Sequence, residues 1–299
     1  MIRLITAFTL TSTLLLVQGC SFSPRAEEKP VAAATKQGEG HSMSNGETHD
    51  SAESNPHQGH SMGDEENSSQ AQAKLTAPRN ITPNTPVTLT IDIRDSDGKA
   101  IANFDAFQEK LMHLIAVSDD FQFFSHIHPN YKGNGRFEVE ALFPQAGNYT
   151  LFSDYKPAGT TEQVSVLKTQ VLGNTSPTPA INLNRAKTFG DTKVNLTFSQ
   201  PTLKAGQEVT LMFDLRQVAN NQPLIDLQPY LGERGHLVIL KQSSPLTRTD
   251  YIHAHAMKNT PPGQAHFMTS FPQPGKYKLW GQFNRNGRII TADFWVNVI

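Results

Sequence analysis

Short segments in which apolar and polar residues alternate dominate the chain from residue 74 onward. Alternation with a period of two places successive side chains on opposite faces of a β-strand, so each segment predicts a half-buried strand. Clusters of glycine, proline, asparagine and aspartate separate the segments, and none keeps a helical period beyond a turn or two. The clearest are VTLTIDIR (Val87–Arg94), GRFEVEALF (Gly135–Phe143) and NYTLFSDY (Asn148–Tyr155). The pattern predicts an all-β protein.

The same pattern occurs twice along the chain. LTIDIRD at Leu89–Asp95 matches LMFDLRQ at Leu211–Gln217, at an offset of 122 residues. FPQAGNYTLFSDYKPAG at Phe143–Gly159 matches FPQPGKYKLWGQFNRNG at Phe271–Gly287, at an offset of 128 residues. Because the offset drifts so little, the two halves are copies of one duplicated domain.

Each copy has the size and strand spacing of an immunoglobulin-like sandwich, which is about 100 residues long. The 299 residues of the chain leave room for two such domains. We predict two tandem sandwiches, at residues 74–172 and 188–299, with the boundary inside Gly173–Lys187.

The N-terminus carries a targeting segment. Arg3 precedes the apolar run LITAFTLTSTLLLVQG, which is too short and too early for a membrane-spanning helix. The run ends at Val17–Cys20, which resembles a bacterial lipoprotein signal and implies removal of residues 1–19 and acylation of Cys20, with palmitate for example. Ser21 resembles an outer-membrane sorting signal. This resemblance implies a lipid anchor in the outer membrane, facing the periplasm; an ordinary secretory peptide is the alternative.

Cys20 is the only cysteine, so an acylated chain has no thiol. This excludes disulfides, thiolate nucleophiles, zinc–thiolate sites and blue-copper centres, all of which need cysteine. The net charge of −1 gives no global basic bias, so no nucleic-acid partner is expected.

Residues 20–73 predict a disordered acidic tether, because their low apolar content cannot offset the entropy lost on ordering. The segment GHSM occurs in it twice, and imidazole with thioether suits Cu(I) or Ag(I). A low-complexity spacer is the alternative. The candidate tail ligands are His41, Met43, His49, His57, His60 and Met62.

The segment HLIAVSDDFQFFSHIHP contains three histidines within the first repeat. If its two halves pair as antiparallel strands around a two-residue turn at Asp119–Asp120, His113 lies directly opposite His126. His128 projects from the same face. Three imidazoles on one face predict a metal site; a polar ladder or histidines bonded to the backbone are the alternatives.

The second repeat carries the same arrangement, with His236, His253 and His255. Its hairpin is longer by four residues, an even number that keeps the histidines on one face. Met257 continues the series and is a possible extra ligand. Asp154 could support a ligand, although Gln282 replaces it in the second copy.

With these duplicated hairpins and the FPQ-x-G-x-Y-x-L strands, residues 74–299 resemble bacterial secreted lipoproteins with tandem immunoglobulin-like domains of the YtkA-like and CopC-like groups. The resemblance implies a periplasmic β-sandwich protein that handles copper or a related metal. No N-terminal histidine is found that could build the Cu(II) site of CopC-like proteins, so the metal and its oxidation state stay open.

The leading hypothesis is a membrane-anchored protein that buffers or delivers copper, or silver, with metal-efflux or metal-delivery proteins as possible partners. A hydrolytic enzyme with a three-histidine zinc site is the first alternative, although no general base recurs in both copies. A non-metal adhesion or assembly module is the second. The two GHSM segments favour metal handling, because neither alternative needs them.

Overall fold

The computed structural model describes residues 71–299. The predicted signal peptide, Cys20 and all six candidate tail ligands lie outside the described residues. The described part contains seventeen strands and one three-residue 3-10 helix, Arg248–Asp250, so the predicted all-β class with two repeats is confirmed. No helix within residues 71–299 is long and apolar enough to cross a membrane.

Repeat 1 is a sandwich of two four-stranded antiparallel sheets, with the strand orders β1-β2-β6-β5 and β4-β3-β7-β8. The predicted strand at Val87–Arg94 forms with those bounds, and the first strand begins two residues before the predicted domain start. The strands are β1 (Gln72–Thr76), β2 (Val87–Arg94), β3 (Met112–Ser118), β4 (Phe124–Ile127), β5 (Asn130–Gly133), β6 (Arg136–Ala141), β7 (Gly147–Tyr155) and β8 (Gln163–Val171).

Repeat 2 has the same plan. One sheet has the order β15-β11-β10-β9; the other has the order β12-β16-β13-β14, with β17 paired to β16. No strand is assigned between Val171 and Ala186, where the boundary is predicted. The strands are β9 (Ala186–Phe189), β10 (Thr192–Phe198), β11 (Glu208–Gln217), β12 (Leu227–Gln228), β13 (His236–Lys241), β14 (Tyr251–His255), β15 (Gln264–Ser270), β16 (Gly275–Arg285) and β17 (Arg288–Val298).

Each sandwich has its own apolar core between its two sheets. Strands of the outer sheets, such as β2 and β15, alternate between buried and partly exposed residues, as their sequences predict. In contrast, every residue of β3 is buried, and β7 and β16 each contain seven consecutive buried residues. These strands are therefore covered on both faces.

A third apolar cluster covers the second face of these strands and joins the two repeats. The sheet that contains β3 and β7 packs against the sheet that contains β13 and β16, so four sheets are stacked within residues 71–299. The cluster consists of Ile115, Val117, Phe121, Phe152, Val238, Leu240, Leu246, Trp280 and Trp295. The histidine hairpins lie in these two inner sheets, so the interface between the repeats positions the histidines.

Candidate metal centre

The hairpin of repeat 1 has a register two residues from the predicted one. Strands β3 and β4 pair Ile115 with His126, so the prediction that His113 lies directly opposite His126 is wrong. The turn has four residues rather than two, closed by the Ser118 N–H donating to the Phe123 carbonyl. It contains Phe121, which has a φ of 60° and packs in the cluster between the repeats. An even shift leaves every side chain on its predicted face.

Repeat 2 adopts the equivalent register. His236 pairs with His255, and Val238 pairs with His253. Extending the β3–β4 ladder by one step gives the matching pair of His113 and His128. The longer hairpin of repeat 2 therefore keeps the arrangement of its histidines, as predicted.

In repeat 1 the three predicted histidines converge. One ring nitrogen from each of His113, His126 and His128 lies within 4.8 Å of the others. Nδ1 of His113 is 2.9 Å from Nε2 of His126. Nε2 of His128 is buried and has no hydrogen-bond partner in the structure. These three side chains form a group able to hold a metal ion.

The histidines of repeat 2 are more open. Nδ1 of His236 is 3.4 Å from Nε2 of His253. The ring of His255 lies 5.7 Å from that of His253, between centroids, and contacts the side-chain amide of Gln108 in repeat 1. The second set therefore already involves a residue of the first repeat.

The two sets of histidines lie next to each other across the interface between the repeats. The ring centroid of His113 is 6.4 Å from that of His236 and 5.8 Å from that of His253. The centroid of His126 is 6.0 Å from His236 and 6.1 Å from His253. We call this group of six side chains, from both repeats, the six-histidine centre.

The first two histidines of each repeat lie at the middle of this centre, and we call them the four central histidines. Hydrogen bonds at their outer ring nitrogens fix their tautomers. Nε2 of His113 lies 3.1 Å from the carbonyl of Phe107, and Nε2 of His236 lies 2.9 Å from that of Tyr230. A carbonyl only accepts, so each of these nitrogens carries the proton. Nδ1 of each ring is then left with a lone pair.

The other two central histidines are held by side chains across the interface. Nδ1 of His253 donates to Oδ2 of Asp154 at 3.2 Å, and Nδ1 of His126 to Oε1 of Gln282 at 2.7 Å. The inward Nε2 of each ring therefore carries a lone pair. Within each repeat, an unprotonated ring nitrogen therefore faces a second unprotonated ring nitrogen. A bound cation or an added proton would remove the repulsion between their two lone pairs.

Burial opposes the added proton. It lowers the pKa of His126 to about 4, that of His128 to about 3 and that of His236 to about 2. Burial also lowers the pKa of His113 and His253, and neighbouring histidines lower both further. These five rings are neutral at neutral pH, which is the state that binds a metal.

A local two-fold symmetry relates the two halves of the centre. Phe107 and Tyr230 each precede their histidine by six residues, and the second histidine of each repeat bonds to the other repeat. Asp154 and Gln282 are equivalent positions in the repeats. The duplication therefore built both halves of one centre, and each half is completed by the other.

The sequence missed the residues that join the halves. The sequence suggests that Asp154 supports a histidine ligand of its own repeat, whereas Asp154 contacts His253 of the other repeat. The contact of Gln108 with His255 is not predicted. Gly235 was also missed: a Cβ there would lie 2.8 Å from the Phe283 ring and 2.9 Å from the Gln282 carbonyl. Only glycine lets β13 begin so close to Gln282.

The possible extra ligand Met257 does not continue the histidine series. Strand β14 ends at His255, and the backbone N–H of Met257 donates to the carbonyl of His266 in β15. The chain has crossed to the other sheet of repeat 2 at that point, so we leave Met257 out of the centre.

Comparisons with known proteins give a family and distant structural matches. The model described as Domain of unknown function (DUF8832) matches residues 66–171 and 187–299. No curated protein matches the sequence. Similar solved structures include the Escherichia coli adhesin FdeC, at 15% identity and a TM-score of 0.26, and E. coli alpha-2-macroglobulin, at 16% and 0.25. Invasin, a bacterial integrin-binding protein, matches at 10% identity and a TM-score of 0.23.

These three alignments cover 78%, 77% and 75% of this chain, but 65%, 14% and 39% of those chains. The chain thus spans less than two thirds of the length of each protein. Similarity at this level assigns no function.

Proposed function

The chain belongs to the family described as Domain of unknown function (DUF8832), and we propose that its two copies of this domain together bind a transition-metal ion outside the cytoplasm. The observation that carries the proposal is the set of four inward lone pairs on His113, His126, His236 and His253. The outer nitrogen of each ring donates to a carbonyl, amide or carboxylate oxygen. Such outward hydrogen bonds are the usual support of histidine metal ligands.

The spacing of these four rings suits a shared ion. With metal–nitrogen bonds of about 2.0–2.1 Å, an ion lies about 3.2 Å from the centroid of each ring, so ligand centroids are at most about 6.4 Å apart. The six separations among the four rings run from 5.1 to 6.4 Å. Among the described residues, the ring nitrogens that already converge are those of His113, His126 and His128. One ion shared between the repeats therefore requires the rings of His236 and His253 to move toward this group, with His255 at the flank.

Copper is the proposed ion. All ligands are imidazole nitrogens, which suit copper, zinc and nickel, and copper(II) binds most tightly to a given set of such ligands. Silver fits only the proposed tail ligands, where thioethers are present. In the proposed function the tail captures soft ions such as Cu(I) or Ag(I), and the centre holds copper(II), for buffering or for delivery to a metal-efflux or metal-delivery protein.

The two alternative functions lead to different expectations. A zinc hydrolase needs an open coordination position and a general base beside it. No general base recurs in both copies, and we do not propose an enzyme. An adhesion or assembly module would use the histidines only as structure. The hydrogen bonds of the histidines to carbonyl, amide and carboxylate oxygens also fit such a structural role, so this is the second candidate, and it predicts no metal binding.

Metal titration of the full chain separates these candidates. The six tail ligands are changed to serine to give a tail-silenced chain, which is titrated with Cu(II), Zn(II) and Cu(I) and then analysed for bound metal. We expect one tightly bound ion per chain. His266→Ala is the matched control, because His266 lies in repeat 2 and its Nε2 contacts Gln264 at 2.7 Å. If the tail-silenced chain binds none of these ions, the proposal fails and the adhesion candidate stands.

The proposed lipid anchor has its own test. Replacing Cys20 with alanine removes the thiol that acylation requires, so the variant should leave the membrane fraction for the soluble periplasmic fraction. The measurement is immunoblotting of separated fractions, with Cys20→Ala compared with Ser21→Asp. The serine variant keeps the thiol and should move only from the outer to the inner membrane. A Cys20→Ala protein that still sediments with membranes would contradict the anchor.

A further inference from the structure

We infer that Asp154 makes the six-histidine centre selective for divalent over monovalent metal ions; this inference rests on the proposed function. Its carboxylate accepts a hydrogen bond from His253 at 3.2 Å, and its side chain is only 3% exposed. A carboxyl group is thus held inside the protein, one imidazole away from the lone pair that would bind the ion.

The equivalent position of the other half has the same geometry without the charge. Gln282 is 6% exposed and its amide oxygen lies 2.7 Å from Nδ1 of His126. Both side chains fix a ring by accepting one hydrogen bond, so positioning alone does not require a carboxylate. What distinguishes Asp154 from Gln282 is a carboxyl group, which can become negatively charged when a cation binds beside it, whereas an amide cannot.

That charge acts through the imidazole and through space. A carboxylate that accepts the outer N–H of a ligand histidine makes the inner nitrogen a stronger donor. Its attraction for the ion is proportional to the charge of the ion, so a divalent ion gains twice as much as a monovalent ion at the same distance. The hydroxyl of Tyr251 donates to the same carboxylate oxygen at 3.3 Å, which helps to hold it in place.

The test removes or adds a carboxylate charge while keeping the shape of the side chain. It uses the tail-silenced, full-length chain. Asp154→Asn keeps an oxygen that can accept from His253 and from Tyr251, but it removes the charge. We expect Cu(II) and Zn(II) affinities to fall about 10–100-fold and the Cu(I) affinity to fall much less. Gln282→Glu, which adds a carboxylate beside His126, should raise the divalent affinities. The double variant Asp154→Asn/Gln282→Glu should recover most of the divalent preference.

The ratio of Cu(II) to Cu(I) affinity, measured by competition with chelators, is the deciding quantity. A purely structural role for Asp154 would weaken both ions alike, leave the ratio unchanged and give no rescue in the double variant, and that outcome would overturn the inference. Denaturant melts of the metal-free variants show whether each one is folded. A parent chain that binds no ion instead refutes the proposed function itself, so the two failures are distinguishable.

Discussion

Replacing His253 alone with alanine should sharply weaken metal binding by the whole protein, including binding by the converging histidines of repeat 1. The inward nitrogens of both repeats belong to one centre, with cross-repeat ring separations of 5.8–6.4 Å. Losing a ligand should cost at least as much as losing its hydrogen-bonded support, which costs on the order of 10–100-fold in affinity. His126→Ala should have the same effect from the other repeat.

The double variant His126→Ala/His253→Ala then provides the sharper measurement. Because both residues act on one ion, the two losses should not add, and the double variant should bind little worse than either single variant. Titration calorimetry and bound-metal analysis of the tail-silenced chains give the affinity and stoichiometry, with His266→Ala as the control. Two independent sites, as the sequence predicts, would show a different result: each single variant would keep half of the bound metal at the parent affinity.

The strands and their faces could be predicted from the sequence because they depend on local alternation. Val87–Arg94 alternates because one face of its sheet meets solvent. The face of the sheet from which the histidines project also follows from the sequence, since a register shift of two residues leaves each side chain on the same face. The exact register does not follow, because the length of the turn depends on Phe121 and its packing between the repeats.

The packing of the two repeats against each other is the main feature that the sequence analysis does not predict. A signal for it was present: LMHLIAV and GHLVIL are nearly continuous apolar runs, unlike VTLTIDIR, and such runs are typical of strands buried on both faces. The hairpin prediction concerns only the histidine positions on these strands and assigns no partner to their second apolar face. The identity of that partner depends on contacts between distant residues such as Phe124 and Trp280, whose ring centroids are 4.8 Å apart.

The local two-fold symmetry could not be read from residue spacing either. Within the sequence, Asp154 and Gln282 are unrelated substitutions at one repeat position, because only the histidines of the same repeat offer a comparison. In the structure each contacts a histidine of the other repeat. A duplicated domain that packs on its own copy exchanges partners in this way, and only the packing shows it.

The metal-free protein should lose stability steeply as the pH falls from about 6.5 to 5. The buried rings of His113, His126, His236 and His253 have pKa values well below the reference of about 6.5. The unfolded chain therefore binds protons in this range while the folded chain does not. The stability is fully present above pH 6.5 and is lost as the pH falls from there toward the folded-state pKa values.

The size of this effect follows from the linkage between pKa and stability. At pH 5 each ring that stays neutral costs about 2 kcal/mol, so the five rings, with His128 included, cost at most about 10 kcal/mol. Since domains are typically stable by about 5–15 kcal/mol, metal-free protein at pH 5 should be close to unfolding. A metal at 100 times its dissociation constant adds about 2.7 kcal/mol, which should move the transition to lower pH.

Denaturant melts of metal-free protein between pH 7.5 and pH 5 measure this dependence. The informative variant is His113→Gln/His236→Gln, because glutamine can still donate to the Phe107 and Tyr230 carbonyls but does not titrate. Two of the five rings with a lowered pKa are then absent, so the loss of stability with falling pH should be about three fifths as steep. If parent and variant lose stability equally, or if the parent is as stable at pH 5 as at pH 7.5, the rings are not held neutral by burial. Protons would then compete with a metal ion for the four inward nitrogens from about pH 6.5 downward, as they do for free imidazoles.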